Sequence, residues 1–182
     1  MDSLEEKTVK RETIFDGKII KLVVDDVVLP NGAASKREIV KHPGAVAVIA
    51  ITPENKMVMV EQYRKPLEKA IIEIPAGKIE PDEEPKLTAG RELEEETGYK
   101  TDDLKHLVSF YTSPGFADEL LHIYLAGDLK KQANPLQADE DEFVNIVEIN
   151  LDEALQLIEE KVICDAKTVY AVQYWQLLEA TK

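Results

Sequence analysis

The strongest constraint on the fold of this chain is a change of apolar period at Glu83. Upstream, apolar residues come in short β-branched runs broken by turn signals. From Glu83 to Thr97 the spacing becomes helical, with Ala89, Leu93 and Thr97 on one arc. The ends of this segment agree. Asp82 is the expected N-cap, Glu83 and Glu84 suit the positive first turn, and Pro85 is early enough to be tolerated. Gly98 stands where a C-terminal cap belongs. Ala45–Thr52, Met57–Tyr63 and Ala70–Pro75 read as strands, with Pro53-Glu54-Asn55-Lys56 as the first turn. Beyond the helix, Leu104–Tyr111, Leu120–Ala126 and Val144–Ile149 are further strands, and an acidic loop is expected from Asp128 to Glu142. Asn150 caps a helix over Leu151–Glu160, and a last helix, near Asp165–Ala180, carries Val169, Val172, Trp175, Leu177 and Leu178.

At the other end, the first ten or so residues are polar and read as a loose arm. Glu12–His42 is rich in Ile and Val and is broken by the turn Pro30-Asn31-Gly32. This hairpin-like stretch has no helix and is expected to form a small β subdomain over residues 1–42, ahead of a larger domain over 43–182. Strands, one helix, strands and then helices imply a mixed sheet with helices packed on its faces.

A net charge of −14, with no Lys/Arg run, argues against a nucleic-acid partner, because such binding draws on basic patches that neutralise phosphates. No apolar run is long enough for a bilayer, so no membrane partner is expected. The charged N-terminus and the single cysteine fit a cytoplasmic protein. Cys164 is expected to be a free thiol in the C-terminal helical segment.

On the Glu83–Thr97 helix, Glu96 lies about 40° to one side of Glu92 and Glu95 about 60° to the other. Three carboxylates therefore share a narrow arc, while Glu94 projects to nearly the opposite side. Like charges four residues apart repel, so helix formation does not reward the arrangement. A hard divalent cation that takes oxygen ligands does. Arg91 adjoins the cluster and is the natural partner to orient a glutamate. Gly77 permits a tight loop before the helix, where a backbone carbonyl adds another oxygen. A bare glutamate run is usually only solvated surface. The wider spacing is more specific: Gly77, five residues, Glu83, seven residues, then Arg91-Glu92-Leu93-Glu94-Glu95-Glu96-Thr97-Gly98-Tyr99.

That pattern resembles the Nudix box at every fixed position, with Tyr99 standing where an aliphatic residue is more usual. The chain is similar to the ADP-ribose pyrophosphatase branch of the Nudix hydrolases. The likeness extends over Arg37–Val48, Glu61-Gln62-Tyr63-Arg64, Glu73-Ile74-Pro75-Ala76-Gly77 and Ser113-Pro114-Gly115-Phe116. The resemblance implies an α/β/α sandwich around a mixed sheet, preceded by a small β domain exchanged across a homodimer. It implies two or three Mg²⁺ ions, with Mn²⁺ as a substitute, held by Glu92, Glu96 and the Ala76 carbonyl with help from Glu95. The catalytic base would come from the acidic loop, as Glu140 or Glu142, with Arg91 and Glu95 completing the catalytic set. Arg64 is a candidate for the phosphates. Arg37, Glu38 and Glu73 are candidates for the adenine and ribose ends, and Pro114, Gly115 and Phe116 for the pocket wall. For Arg37, Glu38, Arg64 and Glu73 an ordinary ion pair is the competing reading. His42, His106 and His122 lack metal-ligand spacing and are read as structural.

The implied reaction is cleavage of ADP-ribose to AMP and ribose 5-phosphate. The alternatives are another nucleoside diphosphate sugar such as GDP-mannose, and a nucleotide-sensing module without turnover.

Overall fold

The computed structural model describes residues 4–134, 136 and 143–181. It divides into two compact units, one of residues 1–44 and 110–121, the other of 45–109 and 122–182.

The first unit is built on an antiparallel sheet of β1 (Lys7–Asp16), β2 (Lys21–Val28) and β3 (Ala34–Lys41), with β2 central. The segment read as a loose arm is therefore strand from Lys7 onward. Every residue of β1 is exposed, and Lys7–Arg11 show no apolar alternation of the kind by which a half-buried strand is recognised. β2 alternates as a half-buried strand does and turns Val23, Asp25 and Val27 inward. The buried Asp25 carboxylate accepts hydrogen bonds from Arg11 Nε (2.7 Å), Arg11 Nη2 (2.6 Å) and Thr8 Oγ1 (3.1 Å). Its pKa is held low, first by the Arg11 hydrogen bonds. The β2–β3 turn follows the expected chemistry: Gly32 takes φ +81°, and Asn31 Oδ1 accepts the Ala33 N–H at 3.0 Å. Segment 110–121 joins this unit through β3, where the Val40 N–H donates to Phe116 O (2.8 Å) and the Asp118 N–H to Val40 O (3.2 Å).

The second unit holds most of a four-stranded sheet in the order β7 (Ala76–Lys78), β4 (Ala45–Ala50), β10 (Leu120–Ala126), β9 (Leu104–Tyr111). A three-stranded sheet runs β12 (Val144–Ile149), β5 (Met57–Arg64), β6 (Lys69–Glu73). Two short strands, β8 (Tyr99–Lys100) and β11 (Lys130–Lys131), pair with each other. The start of the expected acidic loop is thus β-paired. Val46–Ala50 of β4 are buried without a break, the pattern of a strand covered on both faces. Helix α1 (Pro85–Thr97) packs on β4, β5 and β7. Ala89 and Leu93 join Val46, Val48, Ala50, Val58, Leu104, Tyr124 and Ala126 in one apolar cluster.

Two local expectations shift. The N-cap of α1 is Glu84, in extended conformation and with no side-chain cap bond, whereas Asp82 takes a left-handed φ of 64° in the preceding turn. Gly77 lies in β7 opposite Val46, not in a loop. The other end agrees: Gly98 (φ +69°) returns its N–H to Glu94 O at 2.9 Å. Asn150 caps α2 (Leu151–Glu159), with its Oδ1 accepting the Glu153 N–H at 2.9 Å. Asp165 caps α3 (Ala166–Ala180) in the same way through Thr168, at 3.1 Å. α3 buries Ala171, Val172 and Trp175 while Leu177 is exposed. Cys164 is exposed in the connection between α2 and α3 rather than in a helix. No helix among the described residues is long and apolar enough to cross a membrane.

Candidate active site

The helical period brings Glu92, Glu95 and Glu96 to one side of α1, and that side faces β7. Glu92 and Glu96 are buried, and Glu95 is partly so. Glu96 Oε2 accepts the Ala76 N–H at 2.9 Å. The Glu92 carboxylate lies directly against Gly77: a Cβ at that position would stand 1.9 Å from Glu92 Cδ. Gly77 is required here for space rather than torsion, since its φ is not among the positive ones. The strand end at Ala76-Gly77 and the carboxylates of Glu92 and Glu96 thus form one closely packed element.

Arg91 ties the cluster together. Its Nη1 lies 2.9 Å from Glu92 Oε1 and 2.7 Å from Glu95 Oε2, while Nε and Nη2 donate to the two oxygens of Glu83, each at 3.1 Å. The expected orienting role for one glutamate is in fact a contact with three. Hydrogen bonding to Arg91 holds the Glu83 pKa below the usual carboxylate value, and the bond to Glu83 leads the causes that raise that of Arg91. Among the described residues no group of three or more acidic, histidine or cysteine side chains is arranged as a ready cation site. The donor chemistry nevertheless suits a hard cation: three carboxylates on one helix face, with the backbone of Ala76 in contact with one of them.

Glu94 does not join this cluster. It is buried, with Lys100 Nζ 2.9 Å from its Oε2. Tyr99, the departure from the box pattern, donates its hydroxyl to Glu148 Oε1 at 2.7 Å, which pushes its pKa up to about 12.

A second cluster in the same unit holds Arg64 and Glu73. Arg64 Nε donates to Glu73 Oε2 at 2.5 Å, and Lys167 Nζ to Glu73 Oε1 at 2.5 Å. Sequence reasoning missed Lys167, and nothing local marks it, because it lies on α3 far along the chain from Glu73. The remaining candidates belong to the first unit. Arg37 makes a two-pronged pair with Glu6 (2.7 and 2.6 Å), Glu38 is exposed on β3, and Pro114, Gly115 and Phe116 form the exposed turn bonded to Val40. For Arg37 the structure shows the ordinary ion pair. Glu140 and Glu142 lie outside the described residues.

Of the histidines, His106 and His122 share Ser109: its Oγ is 2.8 Å from His106 Nε2 and 2.7 Å from His122 Nδ1. Burial, and then the nearby His106, lower the His122 pKa. His42 accepts the Gly44 N–H on Nδ1 at 3.1 Å.

The NUDIX domain model matches residues 41–171, which hold both the glutamate face of α1 and Gly77. The chain belongs to the Nudix hydrolase family. Residues 6–40 match the nucleoside diphosphate sugar hydrolase N-terminal domain. The chain is 67% identical to a methanol dehydrogenase activator of Bacillus methanolicus, over 98% of this chain and 96% of that one. It is 61% identical to the ADP-ribose pyrophosphatase of Bacillus subtilis (strain 168), over 99% of this chain and 97% of that one. A crystal structure of an ADP compounds hydrolase superposes with a TM-score of 0.85 over 100% of this chain and 98% of the other, at 23% identity, and shows the shared fold.

Proposed function

We propose that this chain hydrolyses the pyrophosphate linkage of ADP-ribose, giving AMP and ribose 5-phosphate. The observation that carries the reading is the clamped face of α1, with Glu92 and Glu96 buried against Ala76-Gly77, in a chain 61% identical along almost its whole length to an ADP-ribose pyrophosphatase. Glu92, Glu95, Glu96 and the Ala76 carbonyl would hold Mg²⁺ (two or three ions, Mn²⁺ substituting), which would supply charge neutralisation at the diphosphate and make a water easier to deprotonate. Arg91 keeps Glu92 and Glu95 in place. Arg64 offers its guanidinium fork to the phosphates. Glu140 or Glu142 takes the proton as water attacks one phosphorus and the bond from that phosphorus to the bridging oxygen breaks. Arg37, Glu38, Pro114, Gly115 and Phe116 remain candidates for holding the rest of the nucleotide, while Glu73, buried between Arg64 and Lys167, would act through Arg64.

Residues 1–42 serve as a dimerisation subdomain exchanged between two copies, and 43–182 as the catalytic domain. β1 supports this: it is an edge strand with Val9, Ile14 and Phe15 exposed, beside an apolar groove lined by Val9, Val27, Val28 and Ala34. Light scattering after size exclusion should return twice the 20.5 kDa chain mass. A cytoplasmic setting, in which the exposed free thiol of Cys164 would stay reduced, fits the single cysteine.

The deciding experiment is hydrolysis of ADP-ribose, GDP-mannose and a dinucleotide with Mg²⁺, with and without chelator. AMP release from ADP-ribose that chelator abolishes is the expected result; preference for GDP-mannose would overturn the substrate. The 67% identity to a methanol dehydrogenase activator favours a second reading, in which the chain acts on such a dehydrogenase. A methanol dehydrogenase whose rate rises on adding the chain, and does not rise with the Glu96→Gln variant, would support that role.

A further inference from the structure

Glu73 is an almost fully buried carboxylate, 4% exposed at its side chain, shared by two cations from distant parts of the chain. Its two oxygens are divided. Lys167 Nζ occupies Oε1, and Arg64 reaches Oε2 through Nε alone. An arginine facing an unshared carboxylate prefers the two-pronged arrangement, in which two nitrogens point at two oxygens. Here the ammonium of Lys167 stands at Oε1 and repels a second guanidinium nitrogen from that oxygen, and Arg64 donates through Nε to Oε2.

Lys167 is itself held. Its Nζ lies 3.0 Å from Asp165 Oδ1, and its side chain is 13% exposed. Asp165 Oδ1 also caps α3, and Thr168 Oγ1, one residue past Lys167, accepts the Ile74 N–H at 3.0 Å. The first turn of α3 is thereby fastened to the backbone just past Glu73, and the lysine arrives at a set height beside the carboxylate. Arg64, with a side chain 39% exposed, is the solvent-facing end of this chain of charges.

We propose that Lys167 is a positioning residue for the phosphate-binding arginine. By placing its charge at one oxygen of Glu73 it disfavours a second bond from Arg64 and keeps the terminal nitrogens of that arginine for the diphosphate of the substrate. The inference rests on the reading of Arg64 as a phosphate contact given above. Without the lysine no cation stands beside Oε1, Arg64 folds onto both oxygens in two-pronged fashion, and its phosphate donors are withdrawn.

The test is steady-state ADP-ribose hydrolysis by Lys167→Met and Lys167→Arg, each in the unaltered chain and in an Arg64→Ala background, well below the lowest Tm of the set. Lys167→Met should raise KM about tenfold with kcat changed by less than about twofold, the signature of lost binding rather than lost chemistry. Lys167→Arg, which keeps a cation on Oε1, should recover most of that loss. With Arg64 already removed, Lys167→Met should move KM by less than about twofold, because the two act through one contact. An unmoved KM in Lys167→Met, a KM shift that persists undiminished without Arg64, or a fall in kcat alone would overturn the role. Absence of ADP-ribose hydrolysis by the unaltered chain would refute the proposed function and this role with it. With that activity present, an unmoved KM refutes only the role of Lys167.

Discussion

A methyl group at position 77 tests the active-site packing with the smallest possible perturbation. In Gly77→Ala the new Cβ would stand 1.9 Å from Glu92 Cδ, 2.1 Å from Oε1 and 2.4 Å from Oε2. Ordinary contact begins near 3.4 Å, so the carboxyl group must retreat by about 1.5 Å. The backbone at Gly77 needs no positive φ, so alanine costs nothing in torsion and the whole effect comes from moving Glu92. An off-rotamer side chain costs about 1 kcal/mol, and weakening the partly buried contact to Arg91 adds about as much again. The sum, roughly 2 kcal/mol, corresponds to a fall in Tm of roughly 4–8 °C for a chain of this size. The effect on rate should be larger than the effect on stability, because displacing a catalytic group by about 1 Å costs on the order of a hundredfold. Thermal unfolding and ADP-ribose hydrolysis of Gly77→Ala measure the two effects. The same substitution in a Glu92→Ala background, where the obstructing carboxylate is gone, isolates the cause. Full activity in Gly77→Ala, or an equal loss of stability in the two backgrounds, would refute the reasoning.

Four other outcomes are expected. Glu96→Gln should keep the fold, seen as an unchanged circular dichroism spectrum, and lose most hydrolysis. Glu94→Gln should keep the activity and lose about 1 kcal/mol of stability with its Lys100 contact; equal loss of activity in both would undo the division of the helix into two faces. His122, with its pKa lowered by burial below the ordinary 6.5, contributes stability that is full above pH 6.5 and is lost as pH falls through its folded value. Denaturant titrations at pH 7.5 and 5.0 should therefore show a smaller pH difference in His122→Gln than in the unaltered chain, and an unchanged difference would place the titrating group elsewhere. Added EDTA should abolish hydrolysis and excess Mg²⁺ restore it, as followed by AMP release; turnover that survives the chelator would remove the metal from the reading.

The sequence by itself determined the features that one stretch of chain decides. The glutamate arc follows from 3.6 residues per turn, the end of α1 from the left-handed freedom of Gly98, the start of α2 from the oxygen of Asn150, and the buried run of β4 from its unbroken apolar residues. Each of these is set by torsion angles or periodicity within a few residues. Tertiary structure decided the rest. β1 begins at Lys7, ahead of the stretch from Glu12 that reads as β, because β2 offers those first residues hydrogen bonds. Gly77 joined a strand because β4 lies beside it, and the cap of α1 moved from Asp82 to Glu84 as the preceding turn settled. Above all, the pairing of Glu73 with both Arg64 and Lys167 depends on burial. A carboxylate removed from water must find cations, and packing brings the second of these from a helix near the other end of the chain.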